Sequence, residues 1–314
     1  MDRALQLVQT LGNSDDYFER QKAAWDLVGM GAEAVDALID ALKNGEFSDL
    51  RYKSAWALGK IGNARAVEPL AQAMLTDSDH VVREWSAAAL EALKDRGAVP
   101  HLVSAVQSDS QKDVRLRAVT ALRELKAADA LIGLLDHAEP EIKGMAMTAL
   151  GRLRCEAALC TVASQLNHEN VDVRRRAAAF MGELGSEPVM DHLIRALNDS
   201  QPSVREQALK SLCRIHDRRS CEIAMLALGD EDPQIRHAAV TALGEIKHSL
   251  ALDALVKVML EEDEEEVRAW AAWSLGEIGD ARAVEHLREA CRCGPAAVQQ
   301  KARDSLREVF KQDP

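Results

Sequence analysis

The sequence predicts an all-α protein built as a right-handed α-solenoid of about ten helical hairpins. Three observations support this fold class. The chain of 314 residues is rich in alanine and leucine, is only 4% aromatic and contains 8 prolines, a composition that favours helices. One motif recurs about every 31 residues, and each copy is followed by a second apolar helical segment. The junctions between repeats carry Asp, Ser, Asn and Pro, which begin and end helices.

The recurring motif is an aliphatic residue followed by Arg, two variable residues, a run of small residues and Leu-Gly. Clear copies read LRYKSAWALGKIG from Leu50 and VRAWAAWSLGEIG from Val267, and degenerate copies begin at Glu19 and Val298. The basic position of the motif is occupied by Arg20, Arg51, Arg83, Arg115, Lys143, Arg174, Arg205, Arg236 and Arg268, with Gln299 in the last copy. Successive positions are 31 or 32 residues apart, except for one step of 28 that ends at Lys143.

The regular spacing also predicts the domain organisation. A single helical hairpin cannot bury its own apolar faces, whereas stacked neighbours share one elongated core. We therefore expect one continuous solenoid over residues 1–314, with repeats from about residue 15 to residue 310 and degenerate capping repeats at both ends. The fifth repeat, from Ile142 to Leu166, departs most from the pattern, because the short step precedes it and Lys143 replaces Arg. We predict that this repeat is the weakest joint.

The pattern V-R-x-x-A-x-x-A-L-G-x-I-G, followed by A-V-x-x-L, resembles the HEAT-like repeats named after phycobilisome lyases. The resemblance extends from about Asp15 to Phe310. It implies that the motif-bearing helices line the concave surface of the solenoid. Solenoids of this kind have many functions, so the resemblance defines the fold more closely than the activity.

The aromatic residues are concentrated at a few positions of the motif. On a helical wheel of the copy from Val267, Ala271 and Leu275 belong to the core stripe, whereas Trp273 lies nearly opposite and Trp270 lies at the flank. The aligned positions in the N-terminal repeats hold Trp25, Trp56 and Trp85, and Tyr52 lies one place earlier, still on the exposed side. Clustered surface aromatic residues are typical of docking sites, so these six residues are predicted to line a binding groove. The alternative is that the rings cover the seams between adjacent repeats.

The arginine column is interpreted as scaffolding that ties each motif-bearing helix to an Asp-bearing loop nearby. The alternative is a row that binds phosphate groups of nucleic acid. That row would consist of Arg115, Arg117, Arg174, Arg175 and Arg176. The formal net charge of −12 disfavours both nucleic acid and an anionic membrane surface as partners.

No grouping of residues indicates catalysis, a cofactor or a metal site. The six cysteines lack the paired spacing of zinc sites. Deoxyhypusine hydroxylase-like proteins, which this chain resembles in fold, hold two irons with several His-Glu pairs, but here the pair occurs once, at His168-Glu169. We expect no catalytic residue, no cofactor and no metal.

The expected location is the cytoplasm, without a membrane anchor. No apolar run approaches the roughly 18 residues that a membrane span needs. The N-terminus, MDRALQLVQT, also lacks the basic and apolar regions of a signal peptide.

Two functions remain after these exclusions. The favoured one is a non-enzymatic scaffold that binds a partner protein or peptide in its concave groove. The alternative is a phycobilin lyase or lyase subunit, which would attach or remove a linear tetrapyrrole (a bilin) on an antenna protein. This alternative rests on the stretch from Arg51 to Gly59, which is similar to the N-terminal repeats of those lyases.

Overall fold

The computed structural model describes residues 3–308 and Lys311, which contain twenty α-helices and no strand. The prediction of an all-α protein with about ten motif-bearing helices is confirmed. Phe310, at which the predicted repeats end, lies outside the described residues. The chain divides into two compact units, Met1–Leu153 and Arg154–Pro314. The boundary falls inside the fifth repeat, and one continuous solenoid over the whole chain stays a prediction.

The first unit contains ten α-helices, of which the even-numbered ones carry the motif. They are α1 (Arg3–Asn13), α2 (Tyr17–Met30), α3 (Val35–Asn44), α4 (Ser48–Ile61), α5 (Val67–Thr76), α6 (His80–Leu93), α7 (Val99–Ser108), α8 (Lys112–Glu124), α9 (Ala128–Gly133) and α10 (Pro140–Arg152). The motif-bearing helices α2, α4, α6, α8 and α10 pack side by side in one row, and α1, α3, α5 and α7 form the opposite row.

The second unit repeats this arrangement over the rest of the described chain. Its helices are α11 (Leu159–Ser164), α12 (Val171–Leu184), α13 (Met190–Leu197), α14 (Pro202–Leu212), α15 (Arg218–Leu226), α16 (Pro233–Ile246), α17 (Leu252–Glu261), α18 (Glu265–Ile278), α19 (Ala283–Cys293) and α20 (Ala296–Glu308). Each motif-bearing helix from α12 to α20 packs against the next one, and the odd-numbered helices cover them on one side.

The core lies between the two rows of each unit and is formed by the leucine of the motif. This leucine falls seven residues after the basic position, so it returns to the same face of every motif-bearing helix. In the first unit the position holds Leu27, Leu58, Leu90, Leu122 and Leu150, and all of them are fully buried. Leucines of the opposite row, such as Leu38, Leu70 and Leu102, are equally buried.

The glycine after this leucine allows neighbouring motif-bearing helices to approach closely. A Cβ atom on Gly59 of α4 would lie 2.8 Å from the Cα of Ala89 in α6. In the second unit, Gly182, Gly244 and Gly276 face the serines of the next helix in the same way. These serines donate hydrogen bonds across the contact, from Ser211 to the Ala178 carbonyl, from Ser274 to the Val240 carbonyl and from Ser305 to the Ala272 carbonyl.

The arginine column forms a clamp between consecutive loops, which confirms the scaffolding interpretation. Arg83 binds both carboxylate oxygens of Asp109 in the next loop, at 2.7 and 3.0 Å, and donates to the Asp77 carbonyl of the loop before its own helix, at 2.9 Å. A single loop aspartate thus accepts hydrogen bonds from two arginines. The arginine before it binds its side-chain carboxylate, and the arginine after it binds its backbone carbonyl. The aspartates bound in this way are Asp77, Asp109, Asp199 and Asp230.

These clamps hold charged groups largely away from water. The four aspartate side chains are only 6–11% exposed. The hydrogen bonds that Arg83 donates to Asp109 raise the pKa of Arg83, and those that Arg236 donates lower the pKa of Glu262, which takes the aspartate position in the clamp farther along the chain. A carboxylate with a lowered pKa stabilises the fold at neutral pH and loses that contribution as the pH falls through the lowered value.

The clamp changes form where the repeat step is short. Arg115 binds Glu141, which lies in the first turn of α10 and not in the loop before it. The short step itself comes mainly from the connection of only three residues between α8 and α9, where five residues connect α6 and α7. The fifth repeat therefore begins without a loop carboxylate of the kind found at Asp77, Asp109, Asp199 and Asp230.

We predict that backbone amides of α10 exchange with solvent faster than those of α14 and α16, because α10 lacks the shared loop clamp. Hydrogen exchange followed by mass spectrometry measures this directly. Slower exchange in α10 than in the two later helices would contradict the weak-joint hypothesis.

Removing one clamp arginine is expected to destabilise the protein by about 3 kcal/mol, because it leaves a nearly buried carboxylate without its cation. The test is Arg83→Ala, followed by thermal and urea unfolding. The matched control is Arg65→Ala, whose ion pair with Asp36 is 64% and 73% exposed and is expected to contribute no more than about 1 kcal/mol. Equal effects of the two substitutions would show that the clamp has no special role.

A methyl group at the close helix contact is expected to cost about 1–3 kcal/mol of unfolding free energy, because the backbone of α6 leaves no room for it. The test is Gly59→Ala. The control is Gly133→Ala at the end of α9, where a Cβ would meet no atom within 4 Å. That control is expected to stabilise the protein by roughly 0.5–1 kcal/mol, since alanine favours the helix over glycine. A stabilising Gly59→Ala would refute the close-packing argument.

Candidate functional site

The motif-bearing helices present three positions on the side away from the opposite row. These positions lie one, two and five residues after the basic position of the motif. In the first unit they hold Tyr52, Trp85 and the pair Trp25 and Trp56, and in the second unit they hold His237, Trp270 and Trp273. We call the first four residues the N-terminal aromatic surface and the last three the C-terminal aromatic surface.

The rings of the N-terminal aromatic surface pair across adjacent repeats. Trp25 and Trp56 meet edge to face with ring centroids 4.9 Å apart, and Tyr52 stacks on Trp85 at 6.2 Å. Tyr52 and Trp56 are half-buried by these contacts, whereas Trp25 is 57% exposed and Trp85 is 39% exposed. The surface therefore covers seams between repeats and still offers two large rings to solvent.

A charged pair beside this surface contacts Tyr52. Lys53 is almost fully buried, and its Nζ donates to Asp49 at 2.7 Å and lies 5.8 Å from the centroid of the Tyr52 ring. Burial raises the pKa of Tyr52 to about 12, with a further contribution from its hydrogen bond to Asp49. The phenol is therefore neutral at physiological pH and serves as a rigid, uncharged part of the surface.

An apolar slot opens between Trp56 and Trp85. It has a volume of about 310 Å³. Its lining consists of the two indole rings together with Gly59, Lys60, Ala88, Ala89 and Ala92. Lys60 is the single charged residue of this lining, so the slot can accommodate an apolar side chain and offers little to a charged one.

The C-terminal aromatic surface is built in a similar way but has polar neighbours. Trp270 and Trp273 meet at 5.2 Å with an interplanar angle of 73°, and His237 of α16 meets the edge of Trp270 at 5.2 Å. Lys301 of α20 places its Nζ 4.6 Å from the centroid of the Trp270 ring. Both tryptophans are half-buried, because α16 and α20 pack on either side of α18.

The helical wheel gave the direction of the tryptophans but missed how far their neighbours cover them. It treated α18 as a helix with one buried stripe, whereas Ala269, Ala272 and Gly276, which face the adjacent motif-bearing helices, are buried as well. Sequence analysis also missed His237 and Lys301. The alignment of the repeats could have revealed both residues. His237 occupies the motif position of Tyr52, and Lys301 occupies the motif position of Trp85 and Trp270.

Four of the five guanidinium groups considered for phosphate binding are engaged with carboxylates within their own unit. Arg115 pairs with Glu141, and Arg117 lies 3.6 Å from Glu84. Arg174 binds Asp199, and Arg175 pairs with Asp172. A phosphate group would therefore have to displace a bound carboxylate at each of these four positions.

Metal-binding residues, membrane-spanning helices and cysteines were the other features considered in the described part of the chain. Residues 3–308 and Lys311 contain no group of three or more His, Cys, Asp or Glu side chains placed to hold a metal ion. No helix among them is long and apolar enough to cross a membrane. All six cysteines are free thiols.

Comparison with known families identifies the repeat. A family model described as HEAT repeats matches residues 4–91, 128–213, 190–275 and 222–307. A second model, described as PBS lyase HEAT-like repeat, matches residues 82–108. These matches agree with the resemblance inferred from the motif. A search of curated proteins finds no matching sequence.

Solved structures show the same fold at low sequence identity. A chain of the Kap95:Nup1 complex is 15% identical, with a TM-score of 0.64 over 98% of this chain and 49% of that chain. A chain in the structure of Kap95p with RanGDP is 15% identical, with a TM-score of 0.62 over 98% of this chain and 48% of that chain. The protein thus spans about half the length of these relatives, and the likeness confirms the α-solenoid fold class.

A third similar structure is the complex of CpcE and CpcF of phycocyanin lyase from a Nostoc species. The identity is 27%, and the match covers 70% of this chain and 91% of that chain. The TM-score is 0.37. At that score the structural likeness supports no argument about function.

Proposed function

Because the chain belongs to the family of HEAT repeats, we propose that it is a protein-interaction scaffold whose motif-bearing helices bind a segment of a partner protein. The observation that carries this proposal is the exposure of Trp25 and Trp85, each of which pairs with one ring of α4, Trp56 and Tyr52 respectively. Large aromatic side chains are costly to leave in water and are enriched at the centres of protein interfaces.

The chemistry of the N-terminal aromatic surface suits a peptide chain. The slot between Trp56 and Trp85 is lined almost entirely by apolar groups and is large enough for one apolar side chain. Tyr52 supplies a neutral hydroxyl beside it. A partner segment that places an apolar side chain in the slot would bury Trp85 and part of Trp56 without having to remove a charge from water.

Two further observations support the same proposal. The similar solved structures include Kap95 chains in complexes with other proteins, Nup1 and RanGDP. The six free thiols are typical of a reducing compartment, so we place the scaffold in the cytoplasm. No catalytic group, cofactor or metal enters the proposal.

The phycobilin lyase alternative is favoured by the match of residues 82–108, which includes Trp85. In that function the aromatic slot would hold part of a bilin. Co-expression with a source of bilin distinguishes the two functions. A coloured, fluorescent complex whose absorbance disappears in Trp85→Ala would support the lyase, and a colourless protein would support the scaffold.

Truncation of the exposed rings is expected to weaken partner binding by about thirtyfold, since an aromatic anchor at an interface contributes about 2 kcal/mol or more. The test compares the wild type with a Trp25→Ala/Trp85→Ala double variant. Partners are captured from the native host, identified by mass spectrometry, and titrated as purified proteins. The melting temperature is expected to change little, because both rings are substantially exposed.

The control is Leu226→Ala, which removes a side chain that is 66% exposed on α15 of the opposite row. Partner affinity should be unchanged in this variant. If the double variant melts much earlier but binds the partner with unchanged affinity, the rings only cover the seams between repeats.

A further inference from the structure

Two cavities of the second unit open beside the C-terminal aromatic surface. The first, of about 610 Å³, lies among the N-terminal turns of α14, α16 and α18 and reaches His237. The second, of about 500 Å³, lies between α18 and α20 and reaches Trp270 and Lys301. Glu266 lines both cavities, so they follow one another along the exposed side of the motif-bearing helices.

The lining of these two cavities is strongly acidic. The carboxylates are Glu206, Asp232, Glu264, Glu265 and Glu266, and the single lysine is Lys301. Some of the acids have partners, since Glu206 pairs with Lys210 and Asp232 caps α16. Glu264 and Glu266 have neither a hydrogen bond to their carboxylates nor an ion pair within the described residues. Arg236 interacts electrostatically with Glu264 at longer range, so the negative charge at the start of α18 is only partly balanced by the protein itself.

The helix dipole of α18 does not account for this charge. A helix N-terminus carries the equivalent of about half a positive charge, which a single carboxylate more than balances. Glu264, Glu265 and Glu266 place three carboxylates at this one end, and α16 and α14 add Asp232 and Glu206. Three adjacent acids repel one another, so a cation from outside would relieve a repulsion that folding alone leaves in place.

The aromatic rings beside the acids already show how a cation is held here. Lys301 lies over Trp270 at cation–π distance. Trp273 adjoins Trp270, and Ala238, Ala269 and Ala297 provide apolar walls. A lysine or arginine side chain has an apolar stem and a charged head, which match an apolar wall that ends in carboxylates.

We infer that the C-terminal aromatic surface binds a lysine- or arginine-rich segment of a partner protein. This inference deepens the proposed scaffold function and rests on it. A basic segment fits this surface because its cations would complement the charge of the unpaired carboxylates. The N-terminal slot has no carboxylate in its lining, so the basic preference is specific to the second unit.

The test uses the full-length protein and a fluorescein-labelled dodecapeptide in which Lys and Arg alternate with Gly and Ser. A second peptide carries Glu in place of every basic residue, and a third carries Gln. Binding is followed by fluorescence anisotropy at 0.1 M and at 1 M NaCl, where the screening length is about 10 Å and about 3 Å. The site variant is Glu264→Gln/Glu266→Gln.

The matched control variant is Glu285→Gln/Glu289→Gln on α19, which changes the net charge equally but lies on the opposite row. We expect the basic peptide to bind the wild type and this control equally. The site variant should bind it roughly tenfold more weakly, a loss of about 1.4 kcal/mol. High salt should abolish most of the binding. Circular dichroism of both variants checks that the helices are intact.

Any of three results would overturn the inference. The first is that the basic peptide does not bind, and the second is that it binds no better than the Gln peptide. The third is that both double variants weaken binding of the basic peptide equally, which would indicate general attraction to an acidic protein. None of these results decides the proposed scaffold function. That function is judged by the partner affinity of the Trp25→Ala/Trp85→Ala variant, whose substitutions lie in the first unit.

Discussion

The shared aspartate clamp is the interaction on which the rest of each unit depends. Four loop aspartates each hold the arginine before them by the carboxylate and the arginine after them by the carbonyl. Both charges are nearly buried, so a shift that separated them would leave each without its counterion. The clamp therefore fixes the distance between consecutive motif-bearing helices. At that distance glycine must face serine or alanine, and the rings of adjacent repeats come into contact.

Much of this arrangement could be predicted from the motif, because the spacing of its residues determines which side of the helix each one occupies. The leucine seven residues after the arginine must face the core, and the arginine six residues after a loop aspartate can reach back to it. The step of 28 correctly marked an unusual repeat, although the sequence did not reveal that Glu141 would replace the loop carboxylate.

The exposure of the aromatic residues was harder to predict, for a physical reason. A helical wheel describes one helix, whereas Trp270 is covered by His237 and Lys301, which come from the two neighbouring repeats. Trp25 and Trp85 stay exposed because their partners Trp56 and Tyr52 meet only one side of each ring. How far a ring is covered depends on which residues of the neighbouring repeats face it. Those neighbours become known only when the repeats are stacked in three dimensions.

The two aromatic surfaces use equivalent motif positions for different chemistry. In the first unit, Tyr52 stacks on Trp85, which borders the apolar slot together with Trp56, and Lys53 pairs with Asp49 beside Tyr52. In the second unit, His237 and Trp270 take the same positions, but the neighbouring helix starts add carboxylates. A repeat scaffold can vary these outward positions freely, because neither the core leucine nor the clamp arginine uses them.

The clamp also determines where the chain can tolerate changes in length. Its arginine reaches six residues back and twenty-five or twenty-six residues forward, so one residue inserted between Asp77 and Arg83 would move the carbonyl out of reach. The turn within a hairpin, such as the one at Gly62, lies outside that short reach, and its length already differs between α8 and α9. Evolution can therefore lengthen such a protein by duplicating whole repeats, while small insertions accumulate in the turns inside the hairpins.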